Sequence, residues 1–367
     1  GVSSALAERL TGGRYIDVDT CNGCSKCAEV CPEPLPSRFD EGLKEQRAAF
    51  RLYPQAIPDA FAIEKQGVAP CRDACPAGQR AQGYIALIRE GRYADALRTI
   101  REDNPFPAIC GRICDHRCES ACSRNKVDEP INIRGLKRFV VDQEYAKPRV
   151  APEPVARTRQ ERIAIIGAGP CGLTAAQDLV RHGYAVSVFE ALPAAGGMLR
   201  FGVPAHRLPA EIIDREVQDI VDLGVDLRLN SPVASLDALF AAGFSAVLIA
   251  VGAQEGIRLP IPGNALDGVI INTDFLKNVR MADLQRARGE DAAAAAVDPR
   301  PLVAGKRVVV VGGGDVAVDC ARSALRLGAT AVRMAVRGST GGMPASAAER
   351  RAAHEEGIEV DIGLNFL

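Results

Sequence analysis

The chain has 367 residues, of which 47% are hydrophobic, and its 45 Lys and Arg residues nearly balance its 46 Asp and Glu residues. A chain of this length can bury two or three cores, and its balanced charge gives no reason to expect a nucleic-acid partner. No apolar run reaches the roughly 20 residues of a membrane-spanning helix, so we expect no membrane span.

The cysteines are concentrated in the first third of the chain. Ten of the twelve lie between Cys21 and Cys122. Since no export signal is recognisable, we expect a reducing, cytoplasmic compartment, where clustered cysteines ligate metal more often than they form disulfides.

The first cysteine motif follows a predicted strand over Arg14 to Val18 and reads C-x2-C-x2-C-x3-C-P, a run typical of [4Fe–4S] ferredoxins. Its ligand candidates are Cys21, Cys24, Cys27 and Cys31. Cys31 either completes the same cluster or reaches a second one, and the spacing leaves both open. A zinc site is the alternative, although zinc ligands usually come as separated C-x2-C pairs. A short helix is predicted over Glu41 to Phe50.

Residues 1–65 resemble the ferredoxin insert of heterodisulfide reductase A-type subunits. The resemblance rests on RYIDVDTCNGCSKCAEVCP and on the following FDEGLKEQRAAFRLYPQAIPDAFAIEK. It implies a small ferredoxin-like segment that passes electrons between a flavin domain and partner subunits.

A second group of cysteines surrounds two predicted amphipathic helices, Gln82 to Arg89 and Tyr93 to Arg101, and a third helix is predicted from Ile133 to Tyr145. Four of these cysteines recur every fourth residue, but Pro107 and Gly111 indicate turns and short helical pieces rather than one continuous helix. The ligand candidates are Cys71, Cys75, Cys110, Cys114, Cys118 and Cys122.

Residues 66–146 resemble the helical iron–sulfur domain of the glutamate synthase small subunit and of dihydropyrimidine dehydrogenase. The segments that carry the resemblance are APCRDACPAGQ, NPFPAICGRICDHRCESAC and EPINIRGLKRF. It implies that Cys71 and Cys122 share one cluster, and that Cys75, Cys114 and Cys118 share another. The family's C-x2-C pair just before Cys71 is absent here. Two [4Fe–4S] clusters would leave two of the ten cysteines over, and three would need two non-cysteine or shared ligands, so two or three clusters are expected.

The stretch from Arg162 to Glu190 reads as strand, glycine turn, helix, strand and acid. Three glycines permit a tight turn, a close approach of the backbone to a pyrophosphate, and close packing of helix on strand. The acid suits a ribose hydroxyl pair. The predicted dinucleotide-binding residues are Gly167, Gly169, Pro170, Gly172 and Glu190.

Further FAD contacts are predicted beyond this stretch. In the glutamate synthase small-subunit family the segment AAGGMLRFGVPAHRLP covers FAD, and its Gly197, Met198 and Arg207 fall on FAD-contacting positions. Without the resemblance, Met198 would be interpreted as a core residue and Arg207 as a surface charge. A buried strand over Ala246 to Val251 leads to Gly252, where the backbone is expected to approach the flavin.

A second strand, turn and helix begins at Arg307, and two such units in one chain imply FAD in one and NAD(P) in the other. Its predicted cofactor-binding residues are Gly312, Gly314, Asp315 and Ala317, the last being a tolerated small residue in place of the third glycine. The following strand, Ala331 to Val336, ends in Arg337 rather than an acid, which favours the 2′-phosphate of NADP(H).

We therefore predict an α/β flavoprotein with two Rossmann-like dinucleotide-binding domains, preceded by a helical iron–sulfur domain and a ferredoxin-like segment. A linker is expected over 147–160, an FAD-binding domain over 161–280, a surface insertion over 281–305 and an NADP-binding domain over 306–367. In the glutamate synthase small-subunit family, which the chain resembles, the chain next returns to the FAD domain with a Gly-Asp segment near the flavin. No such segment is present here, so both dinucleotide-binding domains are expected to be incomplete.

The predicted function is electron transfer, because the chain shows no hydrolase motif and its remaining cysteines, Cys171 and Cys320, are solitary. The two resemblances imply a subunit that links NADP(H) to ferredoxin or to a partner such as a 2-oxoacid:ferredoxin oxidoreductase or an aromatic acyl-CoA reductase. A glutamate synthase small subunit and a non-enzymatic, cluster-bearing scaffold chain are the alternatives. No catalytic side chain is predicted, since bound cofactors carry the redox chemistry.

Overall fold

The computed structural model describes residues 21–32, 34–37, 43–51, 61–63, 68–290, 298–338 and 342–364. The strands are β1 (Pro34–Pro36), β2 (Glu45–Arg47), β3 (Ala49–Arg51), β4 (Phe61–Ile63), β5 (Arg162–Ile166), β6 (Ala185–Phe189), β7 (Asp226–Arg228), β8 (Ala246–Ile249), β9 (Arg307–Val311), β10 (Ala331–Val336) and β11 (Glu359–Ile362). The predicted strand over Arg14 to Val18 lies outside the described residues.

The helices alternate with these strands in the second half of the chain. They are α1 (Lys26–Glu29), α2 (Pro70–Asp73), α3 (Ala81–Arg89), α4 (Tyr93–Asp103), α5 (Pro107–Ile113), α6 (Arg117–Ser120), α7 (Ile133–Tyr145), α8 (Pro170–Arg181), α9 (Met198–Phe201), α10 (Ala210–Asp222), α11 (Leu236–Ala241), α12 (Asn272–Ala287), α13 (Arg300–Val303), α14 (Asp315–Arg326) and α15 (Ala347–Glu355). A 3₁₀ turn occupies Ser123–Lys126.

The chain forms two compact units. The first unit comprises residues 1–104 and 116–144, and the second comprises residues 105–115 and 145–367. The segment 105–115, which we placed within the helical iron–sulfur domain, therefore clusters with the dinucleotide-binding half of the chain. It does so because Phe106 and Ile109 are buried in the same apolar core as Leu173 and Ile220.

The described part of the first unit contains two small antiparallel pairs, β1 with β2 and β3 with β4. The helix predicted over Glu41 to Phe50 is wrong, because residues 45–47 and 49–51 pair as strands. Cross-strand pairing here overrides the local helix propensity. The Arg51 guanidinium lies 5.2 Å from the centre of the Phe61 ring across β3 and β4, which adds a cation–π contact to this pair.

The helical part of the first unit agrees with the prediction. Helices α3 and α4 pack against each other across Gly91, which adopts φ +72° in the turn between them. Their apolar faces bury Tyr84 and Ile100 completely. The Tyr84 hydroxyl donates to the Ile133 carbonyl oxygen (3.3 Å), so α7 is tied to this pair of helices. The short helical pieces predicted between Cys110 and Cys122 are confirmed as α5, which belongs to the second unit, and α6, and the 3₁₀ turn follows them.

The second unit contains two parallel sheets. The first sheet has the order β7-β6-β5-β8, and the second has the order β11-β10-β9. We call the two halves built on them the flavin subdomain and the nucleotide subdomain. Parallel strands need crossover helices that cover the sheet faces, and α8 and α14 supply them directly after the two glycine turns.

Two predicted features of this unit differ in the structure. The strand predicted as buried over Ala246 to Val251 ends at Ile249, which is 58% exposed. The reason is that β8 is the outermost strand of its sheet in the described part of the chain. The surface insertion expected over 281–305 begins inside α12, because Ala282 is fully buried and continues the helix.

Candidate dinucleotide and iron–sulfur sites

The first glycine turn joins β5 to α8. Gly167 adopts φ +105°, and a Cβ atom added there would lie 2.4 Å from the Ala250 carbonyl oxygen. A Cβ added to Gly172 would lie 2.0 Å from the Gly167 carbonyl oxygen, so the helix can pack on this turn only without a side chain. Pro170 occupies the first turn of α8, where a missing N–H costs nothing.

Residues 193–208, which we call the cover segment, lie against this turn. The Gly196 N–H donates to the Ala168 carbonyl oxygen (2.8 Å). A Cβ added to Gly197 would lie 2.8 Å from the Gly169 Cα, so the two backbones touch. Met198 begins α9 and is 39% exposed, which rules out the interpretation as a core residue.

Glu190 is buried at the end of β6. Its Oε2 accepts the Ala168 N–H (2.8 Å) and its Oε1 accepts the Leu192 N–H (2.9 Å), so the carboxylate fixes the backbone on both sides of the turn. Each carboxylate oxygen has a second lone pair, which leaves acceptor capacity for ribose hydroxyls. The glycine turn, the cover segment and this carboxylate together fit the adenosine pyrophosphate of FAD.

Gly252 follows β8 with φ +67°, and a Cβ added there would have its nearest neighbour at 3.9 Å. The positive φ explains why this position is a glycine, and the space beside it is open. Its contact with the flavin stays a prediction.

The second glycine turn joins β9 to α14. Gly312 adopts φ +133°, and a Cβ there would lie 3.4 Å from the Ala317 Cβ, whereas a Cβ on Gly314 would enter open space. The Asp315 carboxylate accepts the Ser346 N–H (2.9 Å) and fixes the loop before α15. The room above Gly314, at the start of a helix, fits a pyrophosphate.

Arg337 is exposed directly after β10, at the carboxyl end of the strand. The neighbouring Arg333 side chain instead pairs with Glu359 and lies 3.3 Å from the Asp361 carboxylate. Arg333 is therefore already paired, whereas the contact of Arg337 with a 2′-phosphate stays a prediction.

Arg207 makes contacts that the sequence did not indicate. Its Nη1 lies 2.7 Å from Asp319 Oδ2 and its Nε lies 3.1 Å from Glu349 Oε1, so it joins the flavin subdomain to the nucleotide subdomain. Burial raises the pKa of Asp319 to about 6, although Arg207 opposes this shift. The predicted contact of Arg207 with FAD stays a prediction.

The ferredoxin-type loop brings thiols together in the first unit. Burial raises the pKa of the Cys27 thiol, and the neighbouring Cys21 and Cys24 thiols raise it further. The Arg51 guanidinium donates to the Gly23 carbonyl oxygen (2.9 Å) and so fixes the loop to β3. Cys31 follows α1.

The helical cysteines of the first unit gather around Tyr84. Helix α2, which carries the buried Cys71, packs on α6, which carries Cys118. Burial raises the pKa of Tyr84 above its ordinary range, and the Cys118, Cys71 and Cys75 thiols add to this effect. Cys122 follows α6.

Cys110 and Cys114 belong to the second unit. Their helix, α5, is anchored by the buried Glu216, whose carboxylate accepts the N–H groups of Ala108 (2.6 Å) and Ile109 (3.1 Å). The sequence does carry a signal, since Glu216 shares the buried face of α10 with Ile213, Val217 and Ile220, where a charged residue is unusual. The assignment of cysteines to individual clusters stays a prediction.

The described residues contain no group of three or more His, Cys, Asp or Glu side chains arranged to hold a single metal ion. A [4Fe–4S] cube is wider than a single ion, and thiolates are the ligands it takes. The gathered cysteines fit that cofactor by their chemistry.

Cys171 and Cys320 do not form a redox pair. Cys171 is exposed at the start of α8, whereas Cys320 is buried on α14, and burial raises the pKa of its thiol to about 12. A thiol with such a pKa is a poor nucleophile at neutral pH.

The two glycine turns on parallel sheets, together with the thiol-rich unit, define an iron–sulfur flavoprotein reductase with two dinucleotide-binding folds. Residues 161–366 match the family model of the pyridine nucleotide-disulphide oxidoreductases, and the chain belongs to that family. Residues 53–149 match the model of dihydropyrimidine dehydrogenase domain II with its 4Fe-4S cluster. These matches confirm the predicted fold class and the FAD, NAD(P) and iron–sulfur cofactor classes.

Three curated relatives are similar to much of the chain. The beta subunit of the NADP(+)-dependent formate dehydrogenase of Moorella thermoacetica is 40% identical over 316 residues, which are 79% of this chain and 42% of that subunit. A homolog of the NAD-dependent dihydropyrimidine dehydrogenase subunit PreT of Salmonella typhi is 36% identical over 300 residues, 81% of this chain and 68% of the relative. The NADPH glutamate synthase small chain of Mycobacterium tuberculosis is 34% identical over 268 residues, 72% of this chain and 54% of the relative.

The chain spans less than half of the length of the formate dehydrogenase subunit. Among the helices of the described ranges, none is long and apolar enough to cross a membrane.

Proposed function

We propose that this chain is an electron-transfer flavoprotein subunit that moves electrons between NADP(H), FAD and [4Fe–4S] clusters. Its partner is ferredoxin or a catalytic subunit, such as a 2-oxoacid:ferredoxin oxidoreductase or an aromatic acyl-CoA reductase, in a cytoplasmic complex. The names of the relatives, which are subunits or small chains that use NADP, NAD or NADPH, support a role in a larger assembly.

The observation that carries the proposal is the pair of glycine turns within one compact unit. The first turn is closed by the cover segment and by Glu190, whereas the second leaves open space above Gly314. Two turns of this kind serve a resident flavin and an exchanging nicotinamide nucleotide.

The residues of the chain bind, orient and shield the cofactors. Glu190 accepts ribose hydroxyls, and the N-termini of α8 and α14 face pyrophosphates. Arg337 pairs with a 2′-phosphate, and the cysteine thiolates ligate iron. When bound, the nicotinamide and flavin supply two-electron hydride chemistry and the clusters supply one-electron steps.

Anaerobic purification of the chain, with analysis of FAD, iron and sulfide, tests the proposal. NADPH is expected to bleach the visible spectrum of flavin and clusters. Absence of FAD, or a spectrum that NADPH leaves unchanged, would contradict electron transfer and support the scaffold alternative. A co-purifying protein would identify the partner.

A variant at the second turn makes the test specific. In Gly314→Val the new side chain enters open space in the free protein and occupies the space of a pyrophosphate. FAD content should stay unchanged while bleaching by NADPH slows severely. Leu302→Ala, at an exposed position of α13, is the matched control and should behave as the unaltered chain.

A further inference from the structure

Helix α12 joins the two subdomains of the second unit. Its Phe275, Leu276 and Val279 side chains are buried in the apolar core of the nucleotide subdomain, together with Val318 of α14. The same helix also packs on α9, which lies within the cover segment of the flavin subdomain. One rigid element therefore contacts both halves.

Arg280 is the residue of α12 that reaches the cover segment. Its side chain is 3% exposed, its Nε donates to the Arg200 carbonyl oxygen (2.7 Å) and its Nη2 donates to the Leu208 carbonyl oxygen (3.3 Å). The Asp283 carboxylate lies 3.9 Å from Nη1. Burying a guanidinium is costly unless its donors are satisfied, and here two backbone carbonyls of the cover segment satisfy them.

Two further arginines, one outside the cover segment and one within it, donate to carbonyl oxygens of the segment. Arg288, which follows α12, donates to the Pro193 carbonyl oxygen (2.9 Å), and the buried Arg200 donates to the Ala195 carbonyl oxygen (2.7 Å). Four carbonyls between residues 193 and 208 thus accept from guanidinium groups. The glycines in the middle of the segment contact the first glycine turn.

We propose that Arg280 is a positioning residue that holds the cover segment against the flavin-binding turn and links this contact to the nucleotide subdomain. It acts through the backbone of the cover segment. The inference rests on the proposed function, because it takes the first turn to be the FAD site.

Amide hydrogen exchange of the FAD-free chain tests the positioning role without the cofactor. In Arg280→Gln, exchange across residues 194–208 should accelerate about tenfold or more, since two hydrogen bonds from a charged donor are lost. Exchange in β9 and β10 should stay slow. Arg286→Gln, an exposed arginine of the same helix that pairs with Asp283, is the matched control and should leave the segment protected.

FAD binding supplies the second readout. The affinity of Arg280→Gln for FAD, followed by flavin fluorescence, should fall about tenfold or more, and Arg280→Lys should recover part of it because an ammonium can still donate to one carbonyl. Unchanged exchange in residues 194–208 together with unchanged FAD affinity would overturn the proposal.

The possible failures are distinguishable. If Arg280→Gln unfolds throughout, then Arg280→Lys decides. A folded protein in which residues 194–208 exchange faster than in the unaltered chain supports the proposal, and one in which they exchange at the same rate overturns it. If the unaltered chain binds no FAD, the proposed function fails while the exchange result for the cover segment still stands.

Discussion

The two glycine turns of the second unit share one backbone plan but differ in how closely the protein surrounds them. At the first turn, a Cβ added to Gly172 would overlap the Gly167 carbonyl oxygen at 2.0 Å. At the second turn Ala317 takes the place of the third glycine, and Gly314 faces open space. We infer that the first site suits a cofactor that stays bound and the second suits a nucleotide that exchanges.

The residues that follow the second strand of each subdomain differ in the same sense. Glu190 is buried and holds two backbone N–H groups, whereas Arg337 is exposed. The acid is part of the internal structure of the flavin site, but the arginine only faces the solvent. Substitutions should therefore disturb folding at the first turn and nucleotide choice at the second.

The largest effect is expected for Gly172→Ala. The new Cβ cannot be accommodated beside a backbone oxygen, so the free energy of unfolding should fall by more than about 4 kcal/mol. Urea denaturation and FAD content measure this loss. The reverse change at the equivalent position, Ala317→Gly, should cost only about 1 kcal/mol, the ordinary penalty of glycine in a helix. Equal effects of the two substitutions would contradict the comparison.

Glu190→Gln should have the next largest effect. The amide side chain cannot accept both the Ala168 and the Leu192 N–H groups as the carboxylate does. Loss of these charged hydrogen bonds should cost about 3 kcal/mol in unfolding free energy and weaken FAD binding. Fluorescence titration with FAD and urea denaturation measure both. Glu161→Gln, at an exposed position just before β5, is the control.

Thr174 and Asp319 occupy equivalent positions in the two crossover helices, and only Asp319 can titrate. The pair therefore allows a test of how stability depends on pH. Thr174 of α8 donates to the Pro170 carbonyl oxygen (2.7 Å) of its own helix, whereas Asp319 of α14 is buried beside Arg207. Burial raises the pKa of Asp319 from 3.8 to about 6, with Glu349 contributing in the same direction and Arg207 and Arg322 opposing it.

Because the folded state holds the Asp319 proton more tightly than the unfolded state, this group stabilises the fold below pH 4, and that stability is lost as the pH rises to 6. The contribution is about 3 kcal/mol. Urea denaturation between pH 4 and pH 7 should show a flatter profile for Asp319→Asn, whereas Thr174→Ala should keep the slope of the unaltered chain. Parallel profiles for the unaltered chain and Asp319→Asn would show that Asp319 does not titrate in this range.

The sequence predicted the local elements well, because their signals are local. The helix over Ile133 to Tyr145 and the strand over Ala331 to Val336 are confirmed to the residue. The glycine turns were predictable because the glycine spacing belongs to one strand–turn–helix unit, although Gly167 also lies close to the distant Ala250 carbonyl oxygen. Where the chain pairs with a distant segment, as in β2 and β3, the prediction of a helix was wrong.

The buried charged residues could not be predicted for the same reason. Glu216, Arg280 and the Arg207–Asp319 pair each depend on a partner far away in the chain. Glu216 and Arg280 share the buried faces of their helices with apolar residues, where a charged residue is unusual, but the sequence does not name their partners. Only the folded chain places them beside the backbone groups and carboxylates that offset their burial.

The smallest effect is expected for substitution of the exposed Arg337. Arg337→Ala should lower the ratio of NADPH-dependent to NADH-dependent reduction rates about tenfold, since one charged contact with the 2′-phosphate is lost while folding is unaffected. Anaerobic reduction of the bound flavin by each nucleotide measures the ratio. Arg333→Ala is the control: its guanidinium already pairs with Glu359, so the ratio should change by less than about twofold. An unchanged ratio in Arg337→Ala would show that Arg337 does not select the nucleotide. The two sites would then differ only in how closely the protein surrounds their glycine turns.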